Sequence, residues 1–172
     1  SDDCLLFSSS PTLREEIVND LRQFELSDKG SASSFLGMKI TKTQERKGGR
    51  LEYKISMPGY DKRLLKECKM DEANAVSRPA SKGEKFEDTG VFDPNATATR
   101  KCIGGLLWCA VTARPDILSA VNVLCRHMHS PTPMVAAGAK FICRYLCSST
   151  ERGMCFSCEN PSLDNQKLIA FS

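Results

Sequence analysis

Two adjacent carboxylates, Asp2 and Asp3, stand immediately before the apolar run Cys4-Leu5-Leu6-Phe7. Paired like this at the tip of a hairpin, carboxylates can hold a divalent metal. Mg2+ takes hard oxygen ligands, and in phosphoryl transfer it stabilises the attacking and leaving oxygens of an in-line displacement. By itself the dipeptide is weak ground for such chemistry, because Asp-Asp is far more common as a solvated turn or helix cap. The second group is cationic. Residues 1–38 carry three basic side chains against seven acidic ones, whereas residues 39–85 carry thirteen against seven, Lys39, Lys42 and Lys54 among them. Such a stretch suits phosphate contact, and a solvated face of hairpin and helix is the plainer reading of charge alone. Arg114, just before the helix-starting Pro115, leaves two readings open: a phosphate ligand, or a residue that fixes the loop.

The third group is sulfur. Nine cysteines in 172 residues is an odd number set among apolar neighbours, which points to reduced thiols and a cytosolic or nuclear compartment. Cys143 with Cys147 and Cys155 with Cys158 have ligand-like spacing, so a four-thiolate zinc site has to be weighed. Against it, the first pair falls in a helical pattern and the second in a strand, where alternation turns the two thiols to opposite faces. His127 and His129 are two positions apart at a helix end and do not share a face. Trp108, between Leu107 and Cys109 in an apolar helix, reads as a core anchor rather than a base-stacking residue.

These groups need elements to hold them. A net charge of +3 with 41% hydrophobic residues suits a globular chain with one sizeable core or two small ones. No apolar run approaches the roughly 20 residues of a membrane helix, and no signal-peptide pattern opens the chain. The chain does not begin with Met and enters directly into an apolar run at residues 4–8 that reads as a strand, as expected for a segment of a longer polypeptide. Ser10 and Pro11 read as the N-cap and first residue of a helix carrying Leu13, Ile17, Leu21 and Phe24. Residues 35–41 and 51–57 read as a hairpin, and a short helix covers 60–69. Residues 71–98, rich in Ser, Pro, Gly and charge, read as a connecting loop and domain boundary. Helices are expected at 99–111, 115–128 and 133–147, separated by short proline-bearing links that favour side-by-side packing. Strand-like pieces at 153–157 and 167–171 close the chain.

The order of several motifs resembles copia-type retrotransposon reverse transcriptases along nearly the whole sequence. Ser1-Asp2-Asp3 fits the last three positions of that family's Tyr-x-Asp-Asp motif. Phe35-Leu36-Gly37 is similar to its Phe-Leu-Gly strand in the region that grips the primer. Tyr60 with Leu64, Leu65 and Lys66 resembles the helix that follows, and Val76-Ser77-Arg78-Pro79 resembles a Val-Ser-Thr-Pro stretch. Asp93-Pro94, Gly104 and Leu107-Trp108 fit the next block loosely. Arg114-Pro115-Asp116-Ile117, continuing through Ala120-Val121 to Met128 and Pro131, is the most specific element and looks like the family's Thr-Arg-Pro-Asp-Ile helix, with Ala113 in place of the Thr. Ala139-Lys140, Ile142, Arg144-Tyr145-Leu146 and Gly153 complete it. Ala170-Phe171-Ser172 resembles the lead into an RNase H domain.

The resemblance implies an α+β chain. It comprises the end of a reverse-transcriptase palm with a primer-grip-like hairpin and a thumb-like helix (1–70), a connecting loop (71–98), a helical connection region (99–150) and strands leading into RNase H (151–172). The parent would be a Pol polyprotein with RNA-directed DNA polymerase (nucleotidyltransferase) activity, working with Mg2+ on an RNA template and a DNA primer. It would act in the cytoplasm within a virus-like particle, or in the nucleus, and without a membrane. Asp2 and Asp3 would be catalytic metal ligands, and Phe35, Leu36, Gly37, Lys39, Lys42, Lys54 and Arg114 nucleic-acid contacts. The alternative is a degenerate or host-adopted nucleic-acid or protein binding module without catalysis. Reverse transcriptases take a further carboxylate from an upstream palm strand that these residues do not include. The purified chain alone is therefore expected to give no Mg2+-dependent extension of a primer on an RNA template, and a gel showing extended primer would reverse this.

Overall fold

The computed structural model describes residues 4–6, 8, 10–24, 30–44, 51–80 and 91–158. Asp2 and Asp3, and the strand expected at 167–171, lie outside them. The described elements run α1 (Pro11–Leu21), β1 (Ser34–Phe35), β2 (Met38–Gln44), β3 (Leu51–Ser56), α2 (Pro58–Glu67), α3 (Ala96–Thr112), α4 (Leu118–Cys125), α5 (Pro133–Cys147) and β4 (Gly153–Cys158). The α+β expectation holds. No helix among the described residues is long and apolar enough to cross a membrane. Residues 4–6 form no strand: an apolar run becomes one only where a neighbour accepts its backbone hydrogen bonds.

The chain divides into two compact units, residues 1–54 with 155–172, and residues 55–154. The boundary expected at 71–98 does not coincide with this division. α2 packs on α3 and α5, so the helix before the loop and the helices after it share one unit.

The four strands form a sheet in the order β1-β2-β3-β4. β1 and β2 are antiparallel, with Ser34 opposite Lys39 and Phe35 opposite Met38. The two residues between them, Leu36 (φ 48°) and Gly37 (φ 80°), both take left-handed backbone. Such a two-residue loop matches the twist of paired strands.

In the helical unit, burial follows the 3.6-residue period. α5 turns Val135, Ala139, Ile142, Cys143 and Leu146 inward, and α3 does the same with Cys102, Ile103, Leu106, Cys109 and Ala110. Helix ends are tied as their sequences suggest. Thr132 caps α5 through its hydroxyl, 3.4 Å from the Val135 N–H, with Pro133 in the first turn. Asp93 accepts from the Asn95 N–H at 2.9 Å and from the Thr99 hydroxyl, and its own N–H donates to Pro131 at 2.8 Å, which fastens the start of α3 to the α4–α5 link. α2 ends with Lys69 in left-handed backbone (φ 56°), the Met70 N–H donating to Leu65 at 2.8 Å and the Lys69 N–H to Lys66 at 3.0 Å, a Schellman closure. The segment expected at 115–128 starts as a single 3-10 turn (Pro115–Ile117) before α4.

Trp108, expected in the core, is 45% exposed, because the inward stripe of α3 passes through Leu106, Cys109 and Ala110 and leaves position 108 on the flank.

Two glycines give opposite expectations. A Cβ on Gly104, in the exposed interior of α3, meets nothing, so Gly104→Ala should stabilise by about 0.5–1 kcal/mol. A Cβ on Gly153 would overlap the carbonyl oxygen of Ile55, which is backbone and cannot swing aside, so Gly153→Ala should lower the urea midpoint.

Candidate functional site

The sheet has two chemically distinct faces. Side chains alternate along a strand, and directly opposed residues share a face. Phe35, Met38, Ile40 and Lys42 therefore lie on one face, with Tyr53, whose ring centre is 5.9 Å from the Lys42 ammonium. Lys39, Thr41, Thr43 and Lys54 lie on the other, all polar, with the Lys39 side chain exposed and that of Lys54 half-buried. The sequence-predicted hairpin contacts are thus brought to one element but split between its faces. Leu36 sits at the tip, 44% exposed, in a conformation costing a non-glycine residue about 1–2 kcal/mol. Gly37 takes the second such position without a side chain to resist it.

Arg114 is placed otherwise than a phosphate ligand requires. Its side chain is 0% exposed, and its guanidinium is consumed inside the helical unit. Nε and Nη2 donate to the two oxygens of Asp116, each at 2.9 Å. Nη2 also donates to the Ser149 hydroxyl at 2.8 Å, and Nη1 to the Ser149 carbonyl at 2.9 Å. The remaining charge faces Asp61, itself fully buried, at 3.5 Å. Of the two readings open at Arg114, the loop-fixing one matches this placement, since a guanidinium without any exposure presents nothing to a phosphate.

Asp61 accepts from the Cys109 thiol at 3.2 Å on one oxygen, while the other makes no hydrogen bond. Burial, only partly offset by Cys109 and Arg114, raises its pKa. Asp116 differs. Burial works to raise it as well, but the hydrogen bonds from Arg114 and from Tyr145 (2.7 Å) outweigh that and hold its carboxyl below the usual range. Arg152 in turn donates to the Tyr145 oxygen at 2.8 Å.

A third grouping was not foreseen from spacing. Cys68, Cys102 and Cys143 bring their sulfurs within 4.8 Å of one another, with Cys102 and Cys143 3.7 Å apart. The zinc set considered from sequence is not assembled around Cys143 and Cys147. Cys147 lies one turn beyond Cys143 on α5 and donates to the Met70 carbonyl at 3.0 Å, while Cys155 is exposed and the Cys158 side chain lies outside the description. His129 is exposed, and its carbonyl, like that of Met128, receives the Arg100 guanidinium.

Comparison with known proteins bears on which arrangement matters. The chain is 31% identical over 170 residues to the retrovirus-related Pol polyprotein from transposon TNT 1-94 of Nicotiana tabacum, a match covering 94% of this chain. The chain is homologous to the retrovirus-related Pol polyproteins of copia-type transposons. A second Pol polyprotein, from transposon RE1 of Arabidopsis thaliana, is 32% identical over 89% of the chain. A putative transposon Ty5-1 protein of Saccharomyces cerevisiae is 26% identical over 94%. The chain spans 12% of the first polyprotein, 10% of the second and 51% of the yeast protein. No family model matches it, and no solved structure does. Within this Pol-related chain, the block expected to be most specific, Arg114-Pro115-Asp116-Ile117, is the one that builds the buried network.

Removing Arg114 should therefore damage folding before binding. Arg114→Met leaves Asp61 buried without a countercharge and should cost about 3–5 kcal/mol by urea unfolding. The two carboxylates set opposite pH dependences. With its raised folded pKa, Asp61 makes stability fall as pH climbs from about 4 through that value, a fall that Asp61→Asn should abolish. With its lowered folded pKa, Asp116 contributes stability above about pH 4 that is lost on further acidification, and Asp116→Asn should remove that acid limb.

Proposed function

We propose that this chain is the primer-gripping and connecting part of an RNA-directed DNA polymerase within a copia-type Pol polyprotein. The observation that carries this reading is the similarity to the TNT 1-94 polyprotein across 94% of the chain. Its support in the structure is the tight Phe35-Leu36-Gly37 hairpin backed by a polar strand face with Lys39 and Lys54. In the complete enzyme Asp2 and Asp3 would contribute half of the ligands for Mg2+. Their paired carboxylates are hard oxygen donors that suit it, and the ion would neutralise charge on the transferred phosphoryl group. The remaining ligands, the nucleotide-contacting part and an RNase H domain would come from the rest of the polyprotein.

What this chain's own residues would do is hold the primer-template. Ammonium groups on one strand face can follow a phosphate backbone without reading bases, so binding is tuned by salt rather than by sequence. The half-buried stem of Lys54 keeps its charge on the face, whereas exposed Lys39 extends from it. Lys42, over the Tyr53 ring on the opposite face, is unable to reach the same strand of nucleic acid at the same time.

The test is binding of the purified chain to a labelled RNA/DNA primer-template across a salt series, beside single-stranded RNA and duplex DNA. Affinity for the hybrid should exceed that for the controls and fall steeply with salt. Lys39→Ala and Lys54→Ala should each flatten the log–log salt slope by about one, and Lys42→Ala should leave it unchanged. A folded chain without salt-dependent binding would sink this reading and favour a remnant that no longer handles nucleic acid.

A further inference from the structure

Cys68, Cys102 and Cys143 come from three different helices. Cys68 is the C-cap of α2, Cys102 stands in the second turn of α3, and Cys143 lies in the third turn of α5. Their backbone positions are independently fixed. The Schellman closure at Lys69 and Met70 holds the end of α2, and the neighbours Ile103 and Ile142 are buried in the core. Three thiols brought together this way gain little from one another as hydrogen-bonding groups, since S–H is a weak donor and sulfur a weak acceptor.

The spacing suits a metal. Ligands of a tetrahedral ion with metal–sulfur bonds of about 2.3 Å are about 3.8 Å apart, and Cys102 and Cys143 are 3.7 Å apart with Cys68 within 4.8 Å of both. We propose that Cys68, Cys102 and Cys143 form a metal site that takes one thiophilic d10 cation, Zn2+ being the cellular example, through three sulfurs. On binding, each thiol releases its proton to solvent as its metal–sulfur bond forms. Cys143 is fully buried and Cys102 nearly so, whereas Cys68 is half-buried, so the ion enters from the Cys68 side and its fourth position is taken there by water or a small ligand.

Charge and competition agree with this assignment. Three thiolates around a divalent ion leave a net negative charge, and Lys101 and Lys140 flank the group. Lys101 favours the Cys68 thiolate and Lys140 that of Cys102, each as the smallest of the influences on it, with Glu67 opposing Lys101 at Cys68. Lys101 is also anchored by Glu67 at 3.1 Å, which keeps it beside the cluster. The other buried or half-buried thiols of the helical unit are engaged elsewhere or stand apart: Cys109 donates to Asp61 and Cys147 to the Met70 carbonyl. Among the described residues this is the one group of three or more metal-ligating side chains whose donor atoms converge. The site belongs to the helical unit and does not depend on the polymerase reading.

The experiment is titration of the reduced chain with Cd2+, followed by the ultraviolet thiolate-to-cadmium charge-transfer band, with Zn2+ as competitor and thermal unfolding as a second readout. One equivalent should bind, Zn2+ should displace it, and Zn2+ should raise Tm. Cys68→Ser, a change at a half-buried position that should leave the fold intact by circular dichroism, should weaken binding about 100-fold or more, given that even outer-shell partners are worth about 10- to 100-fold. Cys147→Ser should bind like the parent. Absence of the band in the folded, reduced parent would overturn the proposal, as would unchanged binding in folded Cys68→Ser.

Discussion

A guanidinium with no access to water must find acceptors for its N–H groups within the protein, and that requirement organises the helical unit around Arg114. Its acceptors arrive from separate places, Asp116 in the turn before α4 and both the hydroxyl and carbonyl of Ser149 after α5, while Asp61 on α2 faces it as a countercharge. Hydrophobic burial alone would let these helices slide past one another by a methylene at little cost, because apolar contact is non-directional. A planar fork does not allow that. Lysine has neither the planarity nor the number of donors to reproduce it. The desolvation that such a group suffers is large, so the arrangement is tolerated only because nearly every donor is satisfied.

The Asp61 oxygen without a hydrogen bond marks where this satisfaction is incomplete. It faces the guanidinium by charge rather than by alignment, while its partner oxygen is taken by the Cys109 thiol, a weak donor. Asp116, bound on both oxygens, is the opposite case. One cation thus meets two carboxylates whose pKa values are shifted in opposite directions. Through buried Tyr145 the same network reaches exposed Arg152 just before β4, so the end of α5 and the strand entry are steadied together.

Much of the architecture could be read from the chain. The bounds of α5 follow from Pro133 in the first turn and an apolar period that fades after Cys147, and the hairpin follows from its alternating strands. What could not be read depends on residues far apart in sequence. Ser149 lies 35 positions from Arg114, and nothing local distinguishes it as an acceptor. Arg114 was equally compatible with a phosphate. The cysteines show the same limit in another form. Spacing drew attention to Cys143 with Cys147, yet two residues one helical turn apart need not serve one centre, and Cys143 meets Cys68 and Cys102 only because three helices converge. The apolar neighbours of Trp108 point to the core, but the phase of the helix puts the residue on the flank. Asp2 and Asp3, the residues with the plainest chemistry on paper, fall outside the described residues, and their role rests on resemblance.

The close approach of Gly153 to the Ile55 carbonyl brings the two ends of the unit formed by residues 55–154 together. A run of 100 residues whose two ends are neighbours is topologically a closed loop. Its chain can be cut at one of its exposed turns and its ends joined by a short link without rewiring the core. A segment closed on itself in this way can be lengthened or replaced as a single cassette, provided that position 153 keeps a glycine, because any side chain there would meet the Ile55 carbonyl.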